Sequence, residues 1–474
     1  MKKYKTVYVL FLILILGSCK TMKTDISAKH KPLPEKYGTA QGDTTTVARI
    51  DWKEFFADDY LIQLIDTALA NNLDLQMALQ RIEAARSGLR FANGELFPKI
   101  EGSFTAATTK YAKYTEGFAG NSTTEFEGRT IPNPVQDYFA GLTATWEIDI
   151  WGKLRNSRKA ALSRYLASIE GKNFVVSNLV ADIAASYYDL LALDNELDIV
   201  RQTLRKQQEA FEVVELQKEV GKANELAVQQ FLAQLLNTRA HEKETLQQIV
   251  ETENKINFLM GRFPQPIPRE KRSLFKELPR QIASGVPAQL LAYRPDIREA
   301  ELELRASKFD VKTAKAAFFP SLAIEATGGY QAFDSKFLFR SPTSIGYSAI
   351  GGLVAPLINR KALKAEFHNA KAQQLTAMYQ YQKTVLNGYM EVANGLSNLR
   401  NLQETKEIKE QQNQVLENAI EASAEFYRMA KADYLEVLMA QQNSLQAQLE
   451  LIALNKRQQL ATVSIYKALG GGWQ

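Results

Sequence analysis

The feature that most constrains this chain is a proline-free stretch, residues 135–263, in which apolar residues recur at every seventh position. A second apolar row lies three residues after the first. This a/d heptad pattern is typical of packed helices and not of strands, whose side chains alternate with a period of two. A single helix over Lys153–Glu219 is expected to be about 100 Å long, far beyond the few turns of an average soluble helix. The pattern therefore predicts a rod, a stalk or the wall of a tube. The first row is Leu162, Ile169, Val176, Ile183, Leu190, Leu197, Leu204 and Phe211, and the second is Tyr165, Leu179, Leu193, Val200 and Val214.

The N-terminus has the order of a bacterial secretory signal. Three lysines precede an apolar run at residues 7–16, and small residues follow. The run ends in Leu16-Gly17-Ser18-Cys19, which is similar to the lipobox that is cleaved just before its cysteine, and Cys19 is the only cysteine of the chain. We predict a removed signal at 1–18, lipid attachment at Cys19 and a polar tether at 19–49. A free cysteine in an uncleaved segment is the alternative.

The composition argues against several classes of protein. Removing the three lysines of the signal lowers the formal net charge from +5 to +2, which gives no support for nucleic-acid binding. After the signal no apolar run reaches 18 residues, which argues against a helical membrane protein. His30, His241 and His368 are far apart and have no cysteine companions, and no nucleophile, base and orienting residue can be grouped. We therefore predict no cofactor, no metal site and no enzyme activity.

The chain contains a tandem duplication. Residues 72–102 align without a gap with residues 294–324, and the segment 221–224 aligns with 430–433. Aligning Tyr187 with Tyr389 leaves the second half seven residues longer. Seven residues are one heptad, so the insertion keeps the apolar seam on the same helix face. The predicted organisation is a first repeat at 50–265, a linker at 266–286 and a second repeat at 287–474.

The period changes from helical to two after the Phe-Pro pair of each repeat. Apolar and polar residues then alternate over about ten residues, which is the length and pattern of strands in an outer-membrane β-barrel. A small soluble sheet is the alternative. Four strands cannot close a membrane barrel, so several copies must pool their strands, and a conducting pore favours three copies over two. The predicted strands are at about 99–111, 137–151, 320–331 and 344–357, and the predicted helical hairpins are at 153–260 and 360–469.

Several segments identify a family. Residues 285–301, with Tyr293-Arg294-Pro295-Asp296-Ile297 at their centre and Phe319-Pro320 after them, resemble the central signature of the TolC-type outer-membrane efflux proteins, especially their lipoprotein branch. Residues 146–155, which read Trp-Glu-Ile-Asp-Ile-Trp-Gly-Lys-Leu-Arg, are similar to the signature of the family's first repeat. Residues 391–396 and 466–470 are similar to its second-repeat signatures. The resemblance covers nearly the whole mature chain.

The resemblance implies a mainly α-helical fold with membrane β-strands. In the assembly that the resemblance implies, three copies form a twelve-stranded β-barrel in the outer membrane, continuous with a twelve-helix α-barrel in the periplasm. The implied function is the exit duct of a tripartite efflux pump, which receives substrates from an inner-membrane transporter and a periplasmic adaptor. A periplasmic coiled-coil adaptor, or a structural lipoprotein without a channel, is the alternative. Paired membrane-type strands argue against both.

Two groups of candidate site residues follow at the tips of the long helices. By resemblance, the tips contact the adaptor, and Asp433 and Glu436 lie near the resting constriction of the channel. Met439 occupies the position of a second acid in some members, which weakens the case for a doubled acidic ring. The simpler interpretation is that Asp433 caps a helix and that Glu436 is a solvated first-turn residue. The predicted adaptor-contact tip residues are Gly221, Lys222, Ala430 and Lys431, and a role as ordinary solvated surface is the alternative for the two lysines.

A third group lies on the polar faces of the strands. Carboxylates that line a pore favour the passage of cations. Hydration of a wet face is the alternative role of these side chains. The candidate pore-facing acids are Glu101, Glu147, Asp149 and Glu325.

Overall fold

The computed structural model describes residues 33–37, 46–126, 128–276, 284–356, 360–429 and 431–474. Two predicted site residues, Cys19 and Ala430, lie outside these described residues. The helices are α1 Trp52–Phe56, α2 Asp59–Asn71, α3 Leu73–Gly94, α4 Glu116–Thr123, α5 Lys153–Glu219, α6 Glu225–Leu259, α7 Leu290–Tyr293, α8 Pro295–Ala316, α9 Arg360–Arg428 and α10 Tyr434–Ala468. The strands are β1 Lys99–Thr109, β2 Glu125–Phe126, β3 Arg129–Thr130, β4 Val135–Ile148, β5 Ser321–Ala332 and β6 Ile345–Val354.

The four long strands form one antiparallel sheet in the order β1-β4-β5-β6, while β2 and β3 form a separate two-residue ribbon. The strands of the two repeats meet at the centre of the sheet, where Trp146 of β4 lies opposite Ile324 of β5. Residues that lie opposite each other in an antiparallel pair share a face. The apolar rows of the two repeats therefore coincide. Among the described strands, β1 and β6 are the edge strands of this sheet, and the outer edge of each has no partner strand.

The chain divides into two compact units, and each takes segments from both repeats. The first unit contains residues 84–165 and 302–378, which include the sheet and the helical segments that lead into and out of it. The second contains residues 166–301 and 379–474 together with the described part of 31–83, and it holds the largest hydrophobic core. Each unit therefore combines a part of one repeat with its counterpart from the other.

The heptad seam of α5 is buried in its middle and exposed towards its start. Ile183 and Leu190 are fully buried in the core of the second unit, whereas Leu162 is 39% exposed. An apolar window of α5 has the length and composition to cross a bilayer, but 61% of that window is buried within the protein, as in the core helix of a soluble body. The long helix is therefore stabilised by tertiary packing in one part and presents unpartnered apolar side chains in another.

Candidate functional site

The sheet has one polar and one apolar face, as its alternating sequence predicts. Glu101 lies opposite Thr143, which lies opposite Thr327, and Glu325 lies opposite Thr145. These residues share the polar face, and the hydroxyls of Thr143 and Thr327 are 3.3 Å apart. The other face exposes large apolar side chains to the surroundings; they include Ile100, Phe104, Leu142, Trp146 and Ile324.

The acids on the polar face differ in their surroundings. Glu101 and Glu325 are exposed. The Glu147 carboxylate pairs with the Lys153 ammonium group at 2.7 Å, so the first residue of α5 neutralises part of its charge. Asp137, which sequence reasoning missed, also lies on this face, and its carboxylate accepts hydrogen bonds from the Gln331 side-chain amide at 2.9 and 3.1 Å. The strand alternation contains the signal for Asp137, but its partner is 194 residues away.

Asp149 is placed differently from its prediction as a pore-facing acid on a strand that extends to residue 151. Strand β4 ends at Ile148, and the Asp149 carboxylate accepts hydrogen bonds from the backbone N–H groups of Leu154 and Arg155 at 3.1 and 2.8 Å. It also accepts one from the Arg155 Nε at 3.1 Å. A carboxylate in this position satisfies the free N–H groups at the start of a helix and interacts favourably with the helix dipole. The structure therefore commits Asp149 to the start of α5.

The same strand-to-helix connection joins the two repeats. The Trp151 ring stacks on the Phe319 ring with centroids 4.8 Å apart, and the indole N–H of Trp151 donates to the Pro320 carbonyl at 2.8 Å. The motif at residues 146–155 and the Phe-Pro pair of the second repeat thus contact each other. This contact fixes the exit of the chain from β4 beside its entry into β5.

The tip between α5 and α6 is closed by a left-handed glycine. Gly221 has a φ of 73°, and its N–H donates to the Lys218 carbonyl at 3.0 Å. The N–H of Lys222 donates to the Gln217 carbonyl at 2.7 Å, which completes a Schellman motif. The Asn224 side chain then caps α6 by accepting from the Ala227 N–H at 2.8 Å. The predicted adaptor-contact residues Gly221 and Lys222 lie in this exposed turn.

The tip between α9 and α10 repeats part of this geometry. The Lys431 N–H donates to the Phe426 carbonyl, five residues earlier, at 2.8 Å. In the first repeat the Lys222 N–H donates in the same way to the Gln217 carbonyl. Asp433 is the N-cap of α10, and its carboxylate accepts from the Tyr434 N–H at 2.7 Å. Glu436 is exposed in the first turn of α10. Both acids therefore have the capping and first-turn positions that the simpler interpretation gives them.

The two tips contact each other through Tyr427. Its hydroxyl donates to the Gln217 side chain at 2.5 Å. Burial, and then the nearby negative charge of Asp433, raises the pKa of Tyr427, so its hydroxyl stays protonated and able to donate. Tyr434 and Leu438 of α10 also pack against an apolar cluster of the first tip, which contains Val214 and Phe231. The constriction candidates on α10 are therefore mechanically linked to the α5–α6 hairpin within one chain.

Three family-like segments meet at Arg294, a buried residue with only 5% exposure. Its guanidinium forms a bidentate salt bridge with the Asp296 carboxylate, with hydrogen bonds of 3.0 and 2.8 Å. It also donates to Glu391 at 2.7 Å and to the Ala468 carbonyl at 2.8 Å. Burial alone lowers the pKa of Arg294, but the hydrogen bonds and charges of the two carboxylates outweigh burial and raise it. Arg294 therefore joins the start of α8, the middle of α9 and the end of α10.

These features agree with comparisons to known proteins. The family profile described as outer membrane efflux protein matches residues 64–262 and 286–471. The chain belongs to the outer membrane efflux protein family. It is 28% identical to the cation efflux system protein CusC of Escherichia coli O6:H1 and 27% identical to the probable outer membrane lipoprotein SilC of Salmonella typhimurium, in each case over 97% of both chains. A solved structure of CusC, from work on its folding and transmembrane channel formation, is 26% identical, covers 94% of this chain and 99% of that chain, and has a TM-score of 0.81.

Membership of the outer membrane efflux protein family confirms two predictions made from the sequence. The fold is that of an outer-membrane efflux channel, mainly helical, with a helical-barrel part and β-barrel strands. The function is that of an outer-membrane efflux component, and this excludes the alternative of a periplasmic adaptor. The matched ranges leave out most of the predicted linker at 266–286.

Proposed function

We propose that this efflux protein is the exit duct of a tripartite pump and that it works as a homotrimer. The sheet carries the proposal, because it has four strands, an exposed apolar face and two unpaired edges. An open sheet edge is not tolerated in lipid, so β1 of one copy pairs with β6 of the next. Three copies close a twelve-stranded barrel with its apolar face towards lipid and with Glu101 and Glu325 towards the lumen. Two copies give only eight strands, and the interior of such a narrow barrel is filled by its own side chains.

The long helices form the periplasmic part of the duct in this proposal. Helices α5 and α9 contain 67 and 69 residues, and each follows a strand of the sheet. At 1.5 Å per residue each is about 100 Å long, a length suited to crossing a compartment. Each copy supplies two helical hairpins, so a trimer forms a tunnel of twelve helical columns. The organisation into repeats at 50–265 and 287–474, joined by a linker at 266–286, describes this protomer.

The tips are the proposed contact with the periplasmic adaptor, through which the duct reaches an inner-membrane transporter. Gly221, Lys222 and Lys431 are exposed in their turns, which supports this role, and Ala430 belongs to the same segment by sequence. In the trimer, Asp433 and Glu436 of the three copies form an acidic ring at the resting constriction. The exposure of both acids and the electrostatic effect of Asp433 on Tyr427 support this position.

The mature protein is anchored by lipid on Cys19 in the outer membrane. The lipobox-like segment before Cys19 supports this anchor, as does the similarity to SilC, which is described as an outer membrane lipoprotein. The exported compound is selected by the transporter, and the duct is shared by whatever the transporter loads. Glu101, Glu147 and Glu325 make the lumen prefer cations, whereas Asp149 acts as a helix cap.

The test of the proposed function is a planar bilayer recording of the purified protein, combined with gel mobility before and after heating. A barrel made by several copies gives a compact, heat-modifiable oligomer band in outer-membrane fractions and discrete conductance steps in the bilayer. A monomer that fractionates with soluble proteins and conducts no current would refute the proposal.

A further inference from the structure

Basic residues are concentrated in the helical segments next to the sheet. Within the first unit these segments are residues 84–98, 149–165, 302–320 and 355–378. They contain 15 lysines and arginines but only five aspartates and glutamates, a formal charge of +10, whereas the whole chain has +5. The rest of the chain is therefore acidic on balance. Such segregation places a strong positive potential at one level of the molecule.

Six of these cations form one surface, which we call the basic stripe: Arg158 and Lys159 of α5, and Arg305, Lys308, Lys312 and Lys315 of α8. The four cations of α8 are spaced three or four residues apart, which places them on one face of that helix, and the two cations of α5 are adjacent residues about 100° apart. All are exposed except Lys315, which is half-buried. Within the described chain, Arg158, Lys308 and Lys315 form no ion pair.

The cations of α5 and those of α8 lie on the same side of the two helices. The ammonium groups of Lys159 and Lys312 lie 5.8 and 5.3 Å from the centroid of one ring, that of Phe309. Two cations on different helices thus converge on one half-buried aromatic side chain. Glu303 and Asp310 of α8 do not lie between them, because these acids are about 120–180° around the helix from the α8 cations at 100° per residue. Those two acids face Arg164 instead. Glu301 shares the face of the cations but lies about two helical turns before Phe309.

The basic stripe lies on the apolar side of the sheet. Glu147 is on the polar face, and Lys153 reaches it from the first turn of α5. At 100° per residue, Lys153 is about 120–140° around α5 from Arg158 and Lys159. These two cations therefore point away from the polar face and continue the exposed apolar face beyond the end of the strands. Lysines and arginines at this position, next to an aromatic ring, match the headgroup level of a bilayer.

We propose that the basic stripe binds the phosphate of anionic phospholipids in the periplasmic leaflet of the outer membrane. This inference rests on the proposed membrane position of the sheet. Charge complementarity and continuity with the lipid-facing surface favour a lipid over an acidic protein partner. Lys159 and Lys312 hold the phosphate between them above Phe309, and the lipid chains lie along the apolar face of the sheet. The bound lipid neutralises cations that otherwise repel one another and fixes the depth of the barrel in the membrane.

The experiment measures lipid binding to the full mature protein by native mass spectrometry, with phosphatidylglycerol and phosphatidylethanolamine as probes. The test variant combines Arg158→Gln, Lys159→Gln and Lys312→Gln. The matched control combines Lys206→Gln, Lys243→Gln and Lys255→Gln, which removes three exposed cations of the second unit. Each basic residue at an anionic surface contributes roughly fivefold in affinity, so we expect the test variant to lose at least about tenfold in phosphatidylglycerol binding. The control variant keeps the wild-type preference.

Three results would overturn the proposal. They are equal binding of the two lipids by the wild type, unchanged phosphatidylglycerol binding in the test variant, and full displacement of the lipid by millimolar inorganic phosphate, which would indicate a simple anion site. Flotation with vesicles of phosphatidylethanolamine alone separates this proposal from the proposed function. If the wild type and the test variant both insert, the sheet spans the membrane whatever the fate of the basic stripe. If neither inserts, the membrane position itself is wrong.

Discussion

Replacing Arg294 with alanine is expected to destabilise the protein by about 2–4 kcal/mol. The change leaves the Asp296 and Glu391 carboxylates without their cation and the Ala468 carbonyl without its donor. Breaking a buried charge pair by removing one partner costs about 3–5 kcal/mol. The Glu391 side chain is 41% exposed, so water replaces part of its lost contact, and we lower the range accordingly.

The assay is thermal unfolding of the detergent-solubilised protein, followed by far-ultraviolet circular dichroism. Lys53→Ala is the control, because the Lys53–Asp66 pair at 3.1 Å is about half exposed and contributes at most about 1 kcal/mol. Arg294→Lys is expected to fall between the two, since it keeps the charge but loses the planar fork that contacts Asp296. Equal shifts in Tm for Arg294→Ala and Lys53→Ala would refute the view that this residue joins the three helices.

Four further outcomes are expected. The double variant Asp433→Asn and Glu436→Gln is expected to lower cation selectivity in bilayer recordings. The control Glu225→Gln, at the other tip, leaves selectivity unchanged because Lys218 already neutralises Glu225. Equal selectivity in the two variants would count against the acidic ring. Gly221→Ala costs about 1–2 kcal/mol of local stability, because Gly221 has a φ of 73° that alanine adopts only with strain. Limited proteolysis is expected to cleave this tip faster in Gly221→Ala than in the control Lys222→Ala. Equal cleavage rates in the two variants would argue against backbone strain at Gly221. The pair Glu101→Gln and Glu325→Gln also lowers cation preference, whereas Asp149→Asn lowers Tm and leaves selectivity unchanged; the reverse pattern would restore Asp149 as a lumen acid. Cys19→Ser removes the acyl mass from the mature protein in intact-mass measurements, and a wild-type protein that carries no such mass would contradict the anchor.

Periodicity revealed those parts of the fold that depend on local pattern. The heptad row predicts the burial of Ile183 and Leu190, and the alternation after each Phe-Pro pair predicts which strand residues share a face. The duplication places the breaks in the long helices near Gly221 and Asp433, because each residue has a counterpart in the other repeat. These signals survive because each depends on neighbours within one or two helical turns or along one strand.

The contacts that pattern could not predict join residues that are distant in sequence, or residues where two patterns overlap. Arg294 is 97 residues from Glu391 and 174 from Ala468, and no spacing rule pairs them. Asp149 continues the strand alternation in sequence, yet backbone N–H groups at the start of the next helix take its carboxylate. The strand pattern and helix capping predict different positions for Asp149, and the backbone N–H groups at the start of α5, which have no partner within the helix, favour capping.

The central claim is that one chain supplies a third of a closed barrel. Native mass spectrometry of the protein extracted from outer membranes tests this claim directly. Three copies of the 53.3 kDa chain predict a mass of about 160 kDa, slightly reduced by removal of the signal and increased by three lipid anchors. A dominant mass of one or two copies would contradict the twelve-stranded barrel.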